Sequence, residues 1–206
     1  MARRGAPPEV NAGSMADIAF LLLIFFLVTT TIETDAGLDR KLPPIEPPEN
    51  PPIIKQKNIF TVVVNKNNQL LVEDEVMELK NLREAAKEFL DNGAGTGEKG
   101  EPCDYCQGSK NPESSDHPNK AIISLQNDRL TEYGTYIAVQ NELVAAYNEL
   151  RNREAQRLFN RDFTEMNNTY LDPKTPDNVK DDLKPKIERI QEMYPQKLSE
   201  AEPKNN

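Results

Sequence analysis

Hydrophobic and polar positions divide the chain into one short, almost wholly apolar run and a long remainder in which apolar residues recur at intervals. The run covers residues 15–32 and contains a single charged residue, Asp17. A helix rises about 1.5 Å per residue, so the run would be about 27 Å long, close to the thickness of a bilayer's hydrocarbon core. The pattern predicts one membrane-spanning helix at 15–32.

The charges on either side of the run indicate its orientation. Arg3 and Arg4 precede it, whereas Glu33 and Asp35 follow it. Because basic residues favour the cytoplasmic side, we expect residues 1–14 in the cytoplasm and the rest of the chain outside. A cleaved secretory signal peptide is the alternative. No clear Ala-x-Ala pattern follows the run, which favours an uncleaved signal anchor.

Asp17 is unusual, because a charged side chain within a membrane segment is energetically costly. It could lie shallow enough to reach interfacial water and have no further role. The interpretation we favour is a protonatable site that is enclosed by other helices and accepts and releases protons. Helical spacing places these residues on or beside its face: Ser14, Leu21, Ile24, Phe25 and Val28.

Residues 33–57 separate the apolar run from the next folded segment. The stretch KLPPIEPPENPPI within them holds six prolines. Such a sequence cannot bury a core and favours extended, polyproline-like geometry, so we predict a semi-rigid linker.

The remaining residues, 58–206, show the alternating and helical spacings of a small α+β domain. The predicted elements are a hairpin at 59–64 and 70–72, a helix within 78–93 that ends before Gly93, a strand at 120–128, a long helix at 131–159 and an edge strand within 195–203. The apolar face predicted for the long helix contains Tyr133, Ile137, Leu143, Val144, Tyr147, Leu150 and Leu158. We expect the helices to pack on one face of the sheet.

Two segments interrupt this pattern. Residues 92–119 are rich in Gly, Ser, Pro and charge, and we expect a long surface insertion that is partly disordered. Residues 151–194 form an extended region before the final strand, and the sequence does not indicate its role.

The composition limits the classes of function. The chain has 34 acidic against 25 basic residues, and no basic cluster of the kind that nucleic-acid binding requires. No phosphate-binding glycine loop or nucleophile elbow is present, and the chain has one histidine. We therefore expect a protein that is not an enzyme, needs no cofactor and binds no nucleic acid.

Cys103 and Cys106 form a Cys-x-x-Cys pair within the insertion. A thioredoxin-like redox site would place such a pair at the start of a helix, whereas this pair lies among helix breakers. A metal site would need further ligands, for which His117 and nearby acids are weak candidates. We favour a local disulfide or a pair of exposed thiols, with no metal.

The residues around Asp17 resemble the ExbD/TolR family of biopolymer transport proteins. The matching features are Asn11, Met15 and Asp17 followed by IAFLLLIFFLVTTT, then Leu42-Pro43, and later IISLQNDRLTEYGTY. The insertion at 92–119 and the extended region at 151–194 depart from the family pattern.

This resemblance implies a subunit anchored in the bacterial inner membrane with a periplasmic α+β domain. It implies a homodimer within a ring of a multi-span ExbB/TolQ-like protein, in which Asp17 carries protons and motion passes to a TonB-like or TolA-like protein. The linker residues Leu38, Arg40, Leu42 and Pro43 could add as a strand to a partner's sheet edge. A TolR-like role, or a membrane-anchored binding module without proton coupling, is the alternative to an ExbD-like role.

Overall fold

A computed structural model of the protein describes residues 12–29 and 54–201. The chain divides into two compact units, Met1–Pro43 and Pro44–Asn206, and each is described by itself. The predicted linker at 33–57 lies outside the described residues except for its last four positions, and so do Leu38, Arg40, Leu42 and Pro43.

The described residues of the first unit form a helix, α1, at Ala12–Thr29. It begins and ends three residues before the predicted run at 15–32, whose last three residues lie outside the described part. Among residues 12–29 and 54–201, no helix combines the length and the apolarity needed to cross a membrane. The spanning segment therefore stays a prediction.

The second unit contains a mixed five-stranded sheet. Its strands are β1 (Ile59–Val64), β2 (Leu70–Val72), β3 (Glu75–Met77), β4 (Ile122–Asn127) and β5 (Leu198–Ala201). They lie in the order β3-β2-β1-β4-β5, with β1, β4 and β5 parallel and β2 antiparallel to both β1 and β3. The predicted hairpin, the strand at 120–128 and the edge strand are confirmed.

Strand β3 was not predicted. It follows β2 through a tight turn in which Glu73 and Asp74 both adopt positive φ, 50° and 68°. Asn and Gly are the usual signals for such a turn. Glu73 and Asp74 include neither residue type, so the sequence contains little indication of a turn between β2 and β3.

Four helices complete the second unit: α2 (Leu79–Leu90), α3 (Tyr133–Phe159), α4 (Phe163–Leu171) and α5 (Asp177–Met193). Helices α2 and α3 were predicted. Beyond the end of α2, Gly93 has a φ of 62°, and a Cβ there would lie 2.5 Å from the Cβ of Cys106. Only glycine fits this position, where the chain turns into the insertion.

The main core lies between one face of the sheet and helices α2 and α3. Alternate residues of β1 and β4 are buried, as in a sheet with one covered face. Of the face predicted for α3, Leu143, Tyr147 and Leu150 are fully buried, whereas Tyr133 is 77% exposed and does not belong to it. The prediction that helices pack on one face of the sheet is otherwise confirmed.

The region at 151–194 forms a second, smaller core. Helices α4 and α5 make a hairpin against the end of α3, and the buried residues are Ala155, Phe163, Met166, Leu183, Ile187 and Ile190. The spacing of Leu183, Ile187 and Ile190 is helical, but Pro185 lies among them. A proline within an apolar pattern argues against a helix. For this reason the sequence did not predict α5.

The insertion is packed against the domain, contrary to the expected partial disorder. Asn92, Ser115, Asp116 and His117 are all buried. Asn92 donates to the carbonyl oxygens of Asn111 and Ser115 at 2.9 and 2.7 Å. Side-chain to backbone hydrogen bonds thus take the place of regular secondary structure.

Candidate functional site

Asp17 lies in the second turn of α1 and is the only charged residue of that helix. Its side chain is exposed, as are the described side chains of its predicted face: Leu21 (59%), Ile24 (41%) and Phe25 (59%). The side chains of Ser14 and Val28 are outside the described part. A long apolar surface that the chain itself leaves exposed is typical of a surface that another molecule covers. If another molecule covers this surface, the Asp17 carboxylate would be the single ionisable group that α1 brings to an apolar contact.

Cys103 and Cys106 are joined in a disulfide with their Cα atoms 5.5 Å apart. Of the two states that the sequence favoured, a local disulfide or a pair of exposed thiols, the structure shows the disulfide. Because both sulfurs are bonded to each other, neither is available as a metal ligand alongside His117.

Between the two cysteines, Tyr105 anchors the insertion to the end of α5. Its hydroxyl donates to the backbone oxygen of Met193 at 2.9 Å. Its ring packs edge-on against Tyr194 at 5.4 Å and against His117 at 6.0 Å between centroids. The disulfide loop is therefore a structural clamp between the insertion and the C-terminal helices.

A polar cluster beneath this clamp contains Asp91 and Tyr194, which are buried, and Arg153, which is partly buried. The guanidinium of Arg153 donates to both carboxylate oxygens of Asp91, at 2.6 and 2.8 Å, and to the Tyr194 hydroxyl at 2.8 Å. The Tyr194 hydroxyl donates to Asp91 at 2.5 Å. No pattern in the sequence indicates this cluster, which joins the ends of α2 and α5 to the C-terminal half of α3.

Electrostatics in the cluster favour fixed charges over proton transfer. The hydrogen bond with Asp91 raises the pKa of Arg153 above its ordinary value, and burial raises that of Tyr194. Neither group changes its protonation near neutral pH. The cluster is suited to holding the fold rather than to acid–base chemistry.

A second polar contact ties the end of the insertion to the start of β1. Lys57 forms an ion pair with Asp116 at 2.6 Å, and the backbone N–H of Asp116 donates to Asn58 at 2.8 Å. Both Asp116 and Asn58 are buried. The insertion is thus held at both of its ends.

Replacing Cys103 and Cys106 by serine is expected to destabilise the domain moderately without preventing folding. A loop this short contributes about 2 kcal/mol of chain entropy, while the contacts of Tyr105, Asn92 and Asp116 remain. Chemical denaturation of the double variant, compared with wild type under oxidising conditions, measures the loss. Complete unfolding of the variant would show that the disulfide, rather than these contacts, holds the insertion.

One comparison with known proteins identifies a family. The family model described as ExbD, biopolymer transport protein ExbD/TolR, matches residues 3–153. The match covers well over half of the chain, including Asp17, and ends within α3, so that α4, α5 and β5 lie beyond it. No curated protein matches the chain at a significant level.

Proposed function

Because the chain belongs to the ExbD/TolR family of biopolymer transport proteins, we propose that it transduces the proton-motive force. It would be the ExbD-like subunit of an ExbB–ExbD-type motor in the bacterial inner membrane and would energise TonB-dependent transport across the outer membrane. The observation that carries the proposal is Asp17, a lone carboxylate on an otherwise apolar helix within the matched segment. The role needs no cofactor and no catalytic centre.

Asp17 would couple proton movement to mechanical motion. One elementary charge that crosses 100 mV releases about 2.3 kcal/mol. A carboxylate that is neutral in one position of the helix and ionised in another favours a different contact in each state. The passage of a proton would then drive rotation or displacement of α1 against its surroundings.

The exposed side chains of α1 support an assembly with other membrane helices. Met15, Phe20, Leu22 and Phe26 are all more than half exposed. We infer that a second copy of this chain and a multi-span ExbB/TolQ-like protein cover them, with residues 15–32 in the bilayer. Residues 1–14 would then lie in the cytoplasm and the α+β domain in the periplasm.

The linker would transmit the motion to the periplasm. Its apolar and basic alternation at Leu38, Arg40 and Leu42, followed by Pro43, suits an extended strand. Such a strand could pair with the sheet edge of a TonB-like or TolA-like partner or of the second copy. The proline-rich stretch after it would keep the α+β domain at a distance from the membrane.

A TolR-like role in a Tol-type envelope motor is the second candidate, since the matching family model covers both ExbD and TolR. Asp17 would carry protons in either motor. A membrane-anchored binding module without proton coupling has no need of Asp17, and this residue therefore separates it from both motor roles.

Extraction of the full-length chain from membranes in detergent tests the assembly. We expect a multi-span membrane protein to co-purify with it at a fixed ratio. Leu21→Arg, on the exposed surface of α1, should abolish co-purification, whereas Lys186→Ala on α5 should leave it unchanged. Recovery of the wild-type chain alone, from membranes or from the soluble fraction, would contradict a motor subunit.

A further inference from the structure

A surface depression of about 510 Å³ lies between the insertion and the end of α5. Its polar lining comes from Glu101, Asp104, His117 and Asn119 on one side and from Arg189 and Glu192 on the other. One wall is the insertion, within the family match, and the other lies beyond residue 153, where that match ends. The depression therefore needs residues beyond the family match, and it is separate from Asp17 and the proposed motor role.

Three of the lining residues contain a buried polar atom without a hydrogen-bond partner: Oε2 of Glu101, Nε2 of His117 and Oδ1 of Asn119. Among the residues that the structure describes, the one further such side-chain atom is the hydroxyl of Tyr147 in the core. His117 is 3% exposed. Buried polar groups are rarely left unpaired, and three in the lining of one depression indicate that a hydrogen-bonding partner is missing there.

The neighbouring hydrogen bonds determine whether each of these three atoms is a hydrogen-bond donor or an acceptor. The backbone N–H of Asn119 donates to Nδ1 of His117 at 3.2 Å, which assigns the imidazole proton to Nε2 and makes Nε2 a donor. The side-chain amide of Asn119 donates to Oε1 of Glu101 at 2.9 Å, so its Oδ1 is an acceptor. The site thus offers one donor and two acceptors.

Charge and protonation define the ligand further. A hydrogen bond from its own backbone lowers the pKa of Glu101, so this residue is an anion, while burial lowers the pKa of His117 and keeps the ring neutral. Glu101, Asp104 and Glu192 outnumber Arg189 in the lining. The site therefore favours a cation.

A metal ion suits the site less well. Coordination by Nε2 would move the imidazole proton to Nδ1 and break the hydrogen bond from the backbone of Asn119. In the described part of the chain, no three His, Cys, Asp or Glu side chains are grouped to hold a metal.

We propose that this depression binds a cationic side chain of a polypeptide, a lysine or arginine, together with a neighbouring peptide carbonyl. The cationic N–H groups donate to Oε2 of Glu101 and Oδ1 of Asn119, and the carbonyl accepts from Nε2 of His117. The methylene stem lies against Tyr105 and Met193, which also line the depression. Rotation of Glu101, which is only partly buried, opens the way to the covered atoms.

Nuclear magnetic resonance of the full-length chain in detergent tests this site. His117 is the only histidine, so the imidazole ¹⁵N signals are unambiguous. Titration with N-acetyl-lysine methylamide or N-acetyl-arginine methylamide is expected to shift the Nε2 signal saturably. N-acetyl-norleucine methylamide, which has a similar apolar stem and no charge, should produce no saturable shift.

Variants distinguish specific binding in the depression from non-specific electrostatic attraction of the cationic compound to the acidic surface. Glu101→Gln should lower the affinity at least about tenfold, because it removes a charged acceptor. Glu192→Gln on α5 should also weaken binding. It serves as an independent test of the site in case Glu101→Gln disturbs the fold. Asp182→Asn, which removes the partner of Lys186 on the exposed surface of α5 and lies outside the lining, should have no effect. Equal binding of the norleucine compound, the absence of a saturable shift, or unchanged affinity in Glu101→Gln and Glu192→Gln would overturn the proposal.

Discussion

Asp17→Asn is expected to reduce energy-dependent uptake across the outer membrane to the level of cells that lack this chain. The amide has almost the size of the carboxylate but cannot ionise, so no proton can be accepted or released. Insertion of the chain and its association with other subunits should be unchanged, since apolar side chains occupy the rest of α1. Uptake that depends on the membrane potential, compared between cells with wild type, with the variant and without the chain, measures the effect.

Two further variants show whether loss of uptake reflects ionisation. Asp17→Glu keeps a carboxyl group and should retain part of the uptake, reduced because the group is displaced by one methylene. Ser14→Ala, on the same predicted face and without an ionisable group, should retain most of it. Near-normal uptake with Asp17→Asn would favour a helix that only anchors the domain.

Arg153→Ala is expected to destabilise the α+β domain by about 3 kcal/mol, near the lower end of the effect of removing one partner from a buried ion pair. The side chain of Asp91 is 8% exposed and would keep a negative charge with only the Tyr194 hydroxyl and the backbone of Gln107 as donors. The lower end applies because 28% of the Arg153 side chain reaches solvent. Equilibrium denaturation by urea measures the change.

Lys186→Ala is a suitable control, because its ion pair with Asp182 lies on the surface of α5. Its denaturation midpoint should equal that of wild type within error. In the double variant Asp91→Asn with Arg153→Ala, part of the lost stability should return, because no uncompensated charge stays buried. A loss below about 1 kcal/mol in Arg153→Ala would mean that solvent compensates the Asp91 charge.

Local patterns in the sequence were sufficient to predict those helices and strands whose apolar spacing is not interrupted by proline or by many polar residues. The β-branched run of β1 predicted that strand at the bounds the structure gives, and the three- and four-residue spacing within 78–93 predicted α2. The helical hairpin of α4 and α5 was missed, because Pro185 interrupts the spacing and polar residues dominate both helices. Its existence depends on the second core, which no local pattern reveals.

Buried charges were the hardest features to predict. Arg151, Arg153 and Glu154 resemble a solvated face of α3 in the sequence, yet Arg151 and Glu154 are buried. Arg151 donates twice to the backbone oxygen of Tyr194, at 3.0 and 2.8 Å, and burial lowers its pKa to about 10. These contacts join residues more than forty positions apart, so their environment depends on the tertiary fold.

The two candidate sites differ in how much of each the sequence reveals. Asp17 stands out in the sequence, because a charge within an apolar run contradicts its surroundings. The depression near His117 combines residues of the insertion with Arg189 and Glu192 of α5. Only the folding of the insertion onto the helical hairpin brings these side chains together, although His117, as the sole histidine, was already a candidate ligand.

Proton flux is the most direct measure of proton carriage by Asp17. The chain, purified together with its multi-span partner, would be placed in liposomes that contain a pH-sensitive dye, and a membrane potential would be applied. Wild type and Ser14→Ala are expected to acidify or alkalinise the interior as the potential dictates, whereas Asp17→Asn should match empty liposomes. Equal flux through wild type and Asp17→Asn would contradict the proposal that Asp17 carries the proton.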